Sequence, residues 1–283
     1  MICQLQTAFP LWHIICAKKI LKELNMPEIP DLEIFSRNLE QQLKGKKLVK
    51  ITVSKGLRQK DKGPALNKLY AGALLKKVYR DGKQLRIVFS NKQVMGVHLM
   101  LHGTLVLMKK GEKAAHALVT MDFEDGTRLQ ITDFHRMANI FPDPGKPEAP
   151  DVMSPGLTTK YLVKEFAASN KSVKDLMLDQ NIMRGLGNAY IDEILWEARI
   201  SPFSTSSKVP ADKIKKLPAL TRKILRQSEK EIMKRDPEMI GGRIRDFLRI
   251  HNSKKEKSPT GHTILKTTGS RKTYYTDEQV LYK

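Results

Sequence analysis

From Asp31 onward the apolar residues Leu32, Phe35, Leu39 and Leu43 recur every three or four positions, and Gly45 follows as a stop. That spacing predicts an amphipathic helix. The period then falls to two in LVKITVS, in KKVYRDGKQLRIVFSNKQVMGVHLML, in LVLMKK and in ALVTMDFEDGTRLQITDF. Asp81-Gly82, Ser90-Asn91 and Asp125-Gly126 punctuate these runs, so short antiparallel strands packed as a sandwich are expected. The pattern dissolves at FPDPGKPEAPDVMSPG, residues 141–156, where prolines and glycines cluster without period.

Beyond that break the period is helical in YLVKEFAAS, SVKDLMLDQ, NAYIDEILWEARI, ADKIKKLPALTRKILRQSEKEIMKR and IRDFLRIH. The end of the chain returns to turn and strand character, with TILKTTGSRKTYY expected to form a hairpin over Gly269-Ser270. The predicted class is α+β. Residues 26–142 would form a β-sandwich domain with one helix, 143–156 a linker, 157–250 a helical domain and 251–283 a terminal hairpin unit. No internal repeat is visible.

Composition adds a partner. Lys and Arg number 51 against 30 Asp and Glu, a formal charge of +21, and such an excess attracts polyanions, nucleic acid first among them. There is no apolar run of about 18 residues that would span a membrane. The opening MICQLQTAFPLWHIICAKKILKELN is interrupted by Pro10 and His13 and lacks a preceding basic region, so it makes a poor secretory signal. Both cysteines, Cys3 and Cys16, lie there, and none follows Met26. The body therefore has neither a disulfide nor a cysteine-held zinc, which suits a reducing cytoplasm.

Two stretches invite chemistry. NMPEIPDLE, residues 25–33, reads like the start of a protein although it begins 25 residues in. Gly185-Leu186-Gly187-Asn188 joins two helical segments; its glycines would let backbone N–H groups cradle a phosphate at a helix N-terminus, or it is an ordinary tight turn with Asn188 as the N-cap.

The longer string MLDQNIMRGLGNAYIDEILWEARISP resembles the helix-two-turn-helix signature of the formamidopyrimidine-DNA glycosylase and endonuclease VIII family. MPEIPDLE is similar to that family's Met-Pro-Glu start, and Ile29 favours the formamidopyrimidine branch. The resemblance covers about residues 26–283. It implies a base-excision repair enzyme, both glycosylase and abasic-site lyase, in which Pro27 is the nucleophile and Glu28 shuttles protons. It also implies that residues 1–25 lie upstream of the true start, because an amide-bound Pro27 has no amine to offer.

Further matches place Lys83, in RDGKQLRIVF, as a phosphate-contacting hairpin lysine and Arg271, in SRKTYYTDEQ, as a phosphate-binding arginine. Asn188, with Gly185 and Gly187, stands at the phosphate-binding turn. VHLMLHGTL resembles HLGMSGSL, which makes Leu101 a wedge into the gap left by a flipped nucleotide. TDFHRM resembles TDPRRF, so His135 and Met137 take intercalating positions beside Arg136. The implied partner is double-stranded DNA with oxidised bases or abasic sites, bound by a monomer in the cytoplasm.

The chain departs from the pattern at the C-terminal finger, where the family's four zinc-binding cysteines are missing. Thr276 stands near one ligand position and SKKEKSPTGH replaces the first pair. No cofactor is expected; the finger should be zincless, held by Ile264, Leu265, Tyr274 and Tyr275, and His251 and His262 alone are too few to hold a metal. Phe134-His135 and Met137 also depart from the pattern, as does Arg243 in MIGGRIRDF. Ring-opened purines and 8-oxoguanine are the expected lesions. Endonuclease VIII-like action on oxidised pyrimidines, a non-catalytic damaged-DNA-binding module, and a ribosomal RNA-binding protein are the alternatives.

Overall fold

The structure is a computed structural model that describes residues 26–54, 62–267 and 271–283. Cys3, Cys16, the opening segment and the Gly269-Ser270 turn lie outside the described residues. The first element, α1 (Ile29–Leu43), carries Leu32, Phe35, Leu39 and Leu43 on one buried face. Two four-stranded antiparallel sheets follow. One has the order β1 (Leu48–Val53), β6 (Ala117–Phe123), β7 (Thr127–Thr132), β5 (Thr104–Lys109). The other runs β2 (Leu75–Asp81), β3 (Gln84–Phe89), β4 (Val94–His98), β8 (Asn139–Pro142).

Alternating side chains such as Ile51, Ile87, Val97, Leu129 and Ile131 fill one core between the layers, and α1 lies against β2. This is the expected sandwich. One helix of this half, α2 (Lys62–Tyr70), had no counterpart in the sequence pattern. Its C-terminal Tyr70 is fully buried, 5.0 Å from the Phe89 ring, and donates its hydroxyl to the Val94 carbonyl.

The second half comprises α3 (Thr159–Ala167), α4 (Val173–Leu178), α5 (Asn188–Glu197) and the 25-residue α6 (Ala211–Arg235). Thr158 and Ser172 cap α3 and α4 through their hydroxyls. Helix α6 matches its predicted bounds and packs on α1, so that Ile232 enters the sandwich core while Leu217 and Leu225 enter the helical core. The two halves thus share one spine.

One expectation fails here for an identifiable reason. IRDFLRIH is not helical. The N–H groups of Arg249, Ile250 and His251 all donate to the carboxylate of Glu193 on α5, at 2.9, 2.8 and 2.8 Å, so they cannot close the helical ladder that the apolar spacing suggests. The linker is anchored at its far end: Val152 is fully buried and Asp151 takes two bonds from the Arg80 guanidinium and one from the Gly82 N–H. Finally, β9 (Leu265–Lys266) and β10 (Tyr274–Tyr275) pair as the expected terminal hairpin.

Candidate active site

Pro27 and Glu28 lead into α1, whose first turn is a capping box: the Glu28 N–H donates to the Asp31 carboxylate at 2.8 Å. Asp31 is fully buried and pairs with Arg245 from the irregular segment after α6. This fixes Glu28 to the scaffold. Its side chain reaches the N-terminus of α5, where Oε1 accepts the Ala189 N–H at 3.1 Å. Oε2 is buried with no hydrogen-bond partner among the described residues.

The two glycines of GLGN make this approach possible. A side chain at Gly187 would lie 2.4 Å from the Glu28 carboxyl carbon, and one at Gly185, whose φ is +106°, would lie 2.5 Å from Ile29. Glycine is required at both positions because Glu28 and Ile29 pack directly against the turn. Asn188 does not act as the N-cap: Gly187 holds that place, and Asn188 is the first residue of α5. Asn188 donates its amide to the Lys272 carbonyl at 2.8 Å, bringing the terminal hairpin onto the same helix end.

Lys83 is the second residue of the two-residue β2–β3 turn. Gly82 adopts a φ of +61° there, and the turn is clamped by Asp151, which binds the Gly82 N–H and Arg80, and by Arg184, which pairs with Asp81. Burial holds the Lys83 ammonium below the usual lysine range; the neighbouring Glu28 carboxylate opposes this and the Arg271 guanidinium adds to it. Three residues distant in sequence thus share one electrostatic environment. His98, at the end of β4, belongs to it too: burial, then the Lys83 charge, push its pKa down to about 4. Its Nδ1 accepts the Met100 N–H at 3.1 Å.

That bond starts a tight loop in which Met100 has a φ of +55° and Leu101 is 42% exposed. Gly103 closes it, because a side chain there would strike the Leu99 carbonyl at 2.3 Å and Ala138 at 2.8 Å. The second loop, after β7, is organised by buried Asp133, whose carboxylate takes the N–H groups of His135, Met137 and Ala138. His135 and Arg136 are exposed and Met137 half-buried. The rings of His102 and His135 meet at 4.1 Å with their planes tilted by 38°, so the Leu101 loop and the loop after β7 form one edge.

At the finger, Ile264 and Tyr274 bury against Trp196 and Ile250 as expected. Leu265, however, is 41% exposed, and Tyr275 is half-buried with its ring edge-on to Phe203, so packing alone is an incomplete account. Glu278 supplies the rest, accepting from Thr260 at 2.7 Å, Thr276 at 3.0 Å and the Trp196 indole at 3.0 Å, and pairing with Arg199. These bonds hold its carboxyl down at about 2 despite the cost of burial. His251 binds Asp192 and His262 binds Asp277; among the described residues no three His, Cys, Asp or Glu side chains converge on a metal-sized site. One carboxylate surrounded by hydroxyls, an indole and an arginine is a poor donor set for zinc.

No motif or spacing singles out His98, His102, the Arg80–Asp151 clamp or Glu278, whose importance comes from partners far along the chain.

Comparison with known proteins places this geometry. The model of the formamidopyrimidine-DNA glycosylase N-terminal domain matches residues 26–140, and that of the formamidopyrimidine-DNA glycosylase H2TH domain matches residues 149–235. The chain is 30% identical over 279 residues to formamidopyrimidine-DNA glycosylase of Lactobacillus gasseri, covering 91% of this chain and all of that protein. The Bacillus cereus enzyme of the same name is 28% identical over 269 residues, covering 88% of this chain and 97% of the relative. Lactococcus lactis Fpg, solved in complex with DNA containing an abasic site, shares the fold with a TM-score of 0.79 at 23% identity, over 89% of this chain and 99% of that one.

Proposed function

The chain belongs to the formamidopyrimidine-DNA glycosylase family, and from that membership we propose that it excises oxidised and ring-opened purines from duplex DNA and then cleaves the abasic strand. The observation that carries this is the meeting of Glu28, Lys83 and Arg271 near the N-terminus of α5, three regions of the chain converging in one charged cluster. A base inside a duplex is out of reach, so the nucleotide must be flipped and the gap filled. Leu101 and Met137 fill it, and His135 and Arg136 lie on the same edge. Lys83, Arg271 and Asn188 hold the phosphates beside the flipped nucleotide.

Pro27 is the nucleophile. A free N-terminal amine, with a pKa of about 8, is partly unprotonated at neutral pH, whereas an ordinary lysine is not. Its nitrogen attacks C1′ as the glycosidic bond breaks; that bond's electron pair leaves with the base, which takes up a proton. Collapse of the sugar gives a cationic Schiff base, which draws electrons through successive eliminations of the 3′ and 5′ phosphates. Water then releases the sugar fragment. Glu28, with one oxygen free of hydrogen-bond partners among the described residues, is placed to move protons at the opened sugar. No metal or organic cofactor takes part; the finger is zincless, and the enzyme works as a cytoplasmic monomer. Among the described residues no helix is long and apolar enough to cross a membrane.

Borohydride trapping on an abasic duplex tests this, with chelator-treated full-length chain beside a chain begun at Met26 and the N-termini read by mass spectrometry. An adduct mapped to Pro27 wherever its amine is free is the expected result. A folded, DNA-binding protein with a free Pro27 and no adduct would leave a damage-recognition module without chemistry. Release of oxidised pyrimidines alone from matched duplexes would overturn the purine preference.

A further inference from the structure

Phe134 is 68% exposed, more than any other large apolar residue among those described. Exposure of this kind usually accompanies a loose loop, yet this loop is fixed: the Asp133 carboxylate binds three backbone N–H groups within the next five residues. The ring itself is braced on both sides. His116 meets it edge-to-face at 4.9 Å and 89°, and His135 does so at 5.2 Å and 88°. His135 in turn packs on His102, the neighbour of the wedge residue Leu101. Four rings therefore run in series from the strand edge to the wedge loop, and Phe134 among them is open to solvent.

An aromatic ring held in place and facing water loses little conformational freedom when it binds a flat partner. Exposed Arg136 shares its loop, and Arg243 lies close enough for its charge to act on His102, so cations for a phosphate backbone flank the ring. Resting on the DNA-binding function proposed above, we propose that Phe134 is a base-stacking residue that receives a nucleobase adjoining the gap filled by Leu101. Stacking tolerates any of the four bases, since each has a π-face. The family resemblance assigns no such contact, because proline stands at this place in TDPRRF. In this chain a flat aromatic is added to the wedge, and the His102–His135 pair positions it.

The test uses the full 283-residue chain and a duplex carrying a tetrahydrofuran abasic analogue, which requires no free amine for binding. 2-Aminopurine is placed in turn at each base beside and opposite the lesion. Phe134→Ala should weaken binding about 5- to 100-fold and change the 2-aminopurine emission of at least one base, while Phe134→Trp retains both properties. Phe134→Leu should behave like the alanine variant, because an apolar side chain without a π-face does not stack. Wild-type affinity and emission in Phe134→Ala, or full rescue by leucine, would overturn the inference alone. A wild-type chain with no preference for the abasic duplex would overturn both this inference and the function on which it rests. Melting temperatures of the variants should match the wild type, since the side chain is exposed.

Discussion

His98 is neutral across the physiological range because its folded pKa, about 4, lies well below its ordinary 6.5. Between those two values the unfolded chain binds a proton that the folded chain refuses. Stability therefore falls as pH drops from 6.5 toward 4, and the whole penalty is present below 4. Replacing His98 with Asn keeps an acceptor for the Met100 N–H and removes the titration. The variant's melting temperature should decline less than that of the wild type over this window, and parallel declines would refute the assignment. Nothing in VHLMLHGTL distinguishes this histidine from a strand-end polar residue, since its burial and the Lys83 charge beside it come from tertiary structure. Pro27, Glu28 and the GLGN turn were legible because a short ordered motif carries them. Even so, what the two glycines accommodate is the chain's own Glu28 and Ile29, a fact that spacing could not reveal.

Elements with one buried face were readable from their period. Helix α6 and strands β1 to β7 follow their predicted positions because each contributes apolar residues to a core, whereas β8 runs into the stretch at 141–156 where no period was expected. IRDFLRIH carries a similar stripe, but Glu193 claims its backbone donors, and three N–H groups bound to one buried carboxyl group cannot also close a short helical ladder. Helix α2 went unread because its apolar residues, Leu66, Leu69 and Tyr70, occupy too short a span to establish a period. The finger presents the same lesson in another form, since its stability depends on Glu278 as well as on apolar packing. Glu278→Gln removes the charge that strengthens the bonds from Thr260, Thr276 and Trp196 and breaks the pair with Arg199. A loss of about 1–3 kcal/mol is expected, read as a lower melting temperature with a shift in Trp196 fluorescence. Unchanged melting and emission would show that packing of Ile264 and Tyr274 suffices.

Across the whole molecule the charge of +21 acts together with the placement of Lys83 and Arg271 in one charged cluster. Affinity for duplex DNA should fall steeply with salt, and Arg271→Gln should reduce the slope of log affinity against log salt by about one, the signature of one lost phosphate contact. A slope equal to that of the wild type would remove Arg271 from the interface. The excess of basic residues was plain from composition, but the approach of Lys83 to Glu28 and Arg271 comes from residues distant in the chain folding together. The bond between Glu28 and Ala189 has a consequence in time. Its partners are 161 residues apart, so during synthesis at about 5–20 residues per second the region around Pro27 waits roughly 10–30 seconds for α5 to emerge. Until then the peptide bond before Pro27 is accessible to processing enzymes. Any trimming that frees its amine has that interval in which to act, before Glu28 docks on α5.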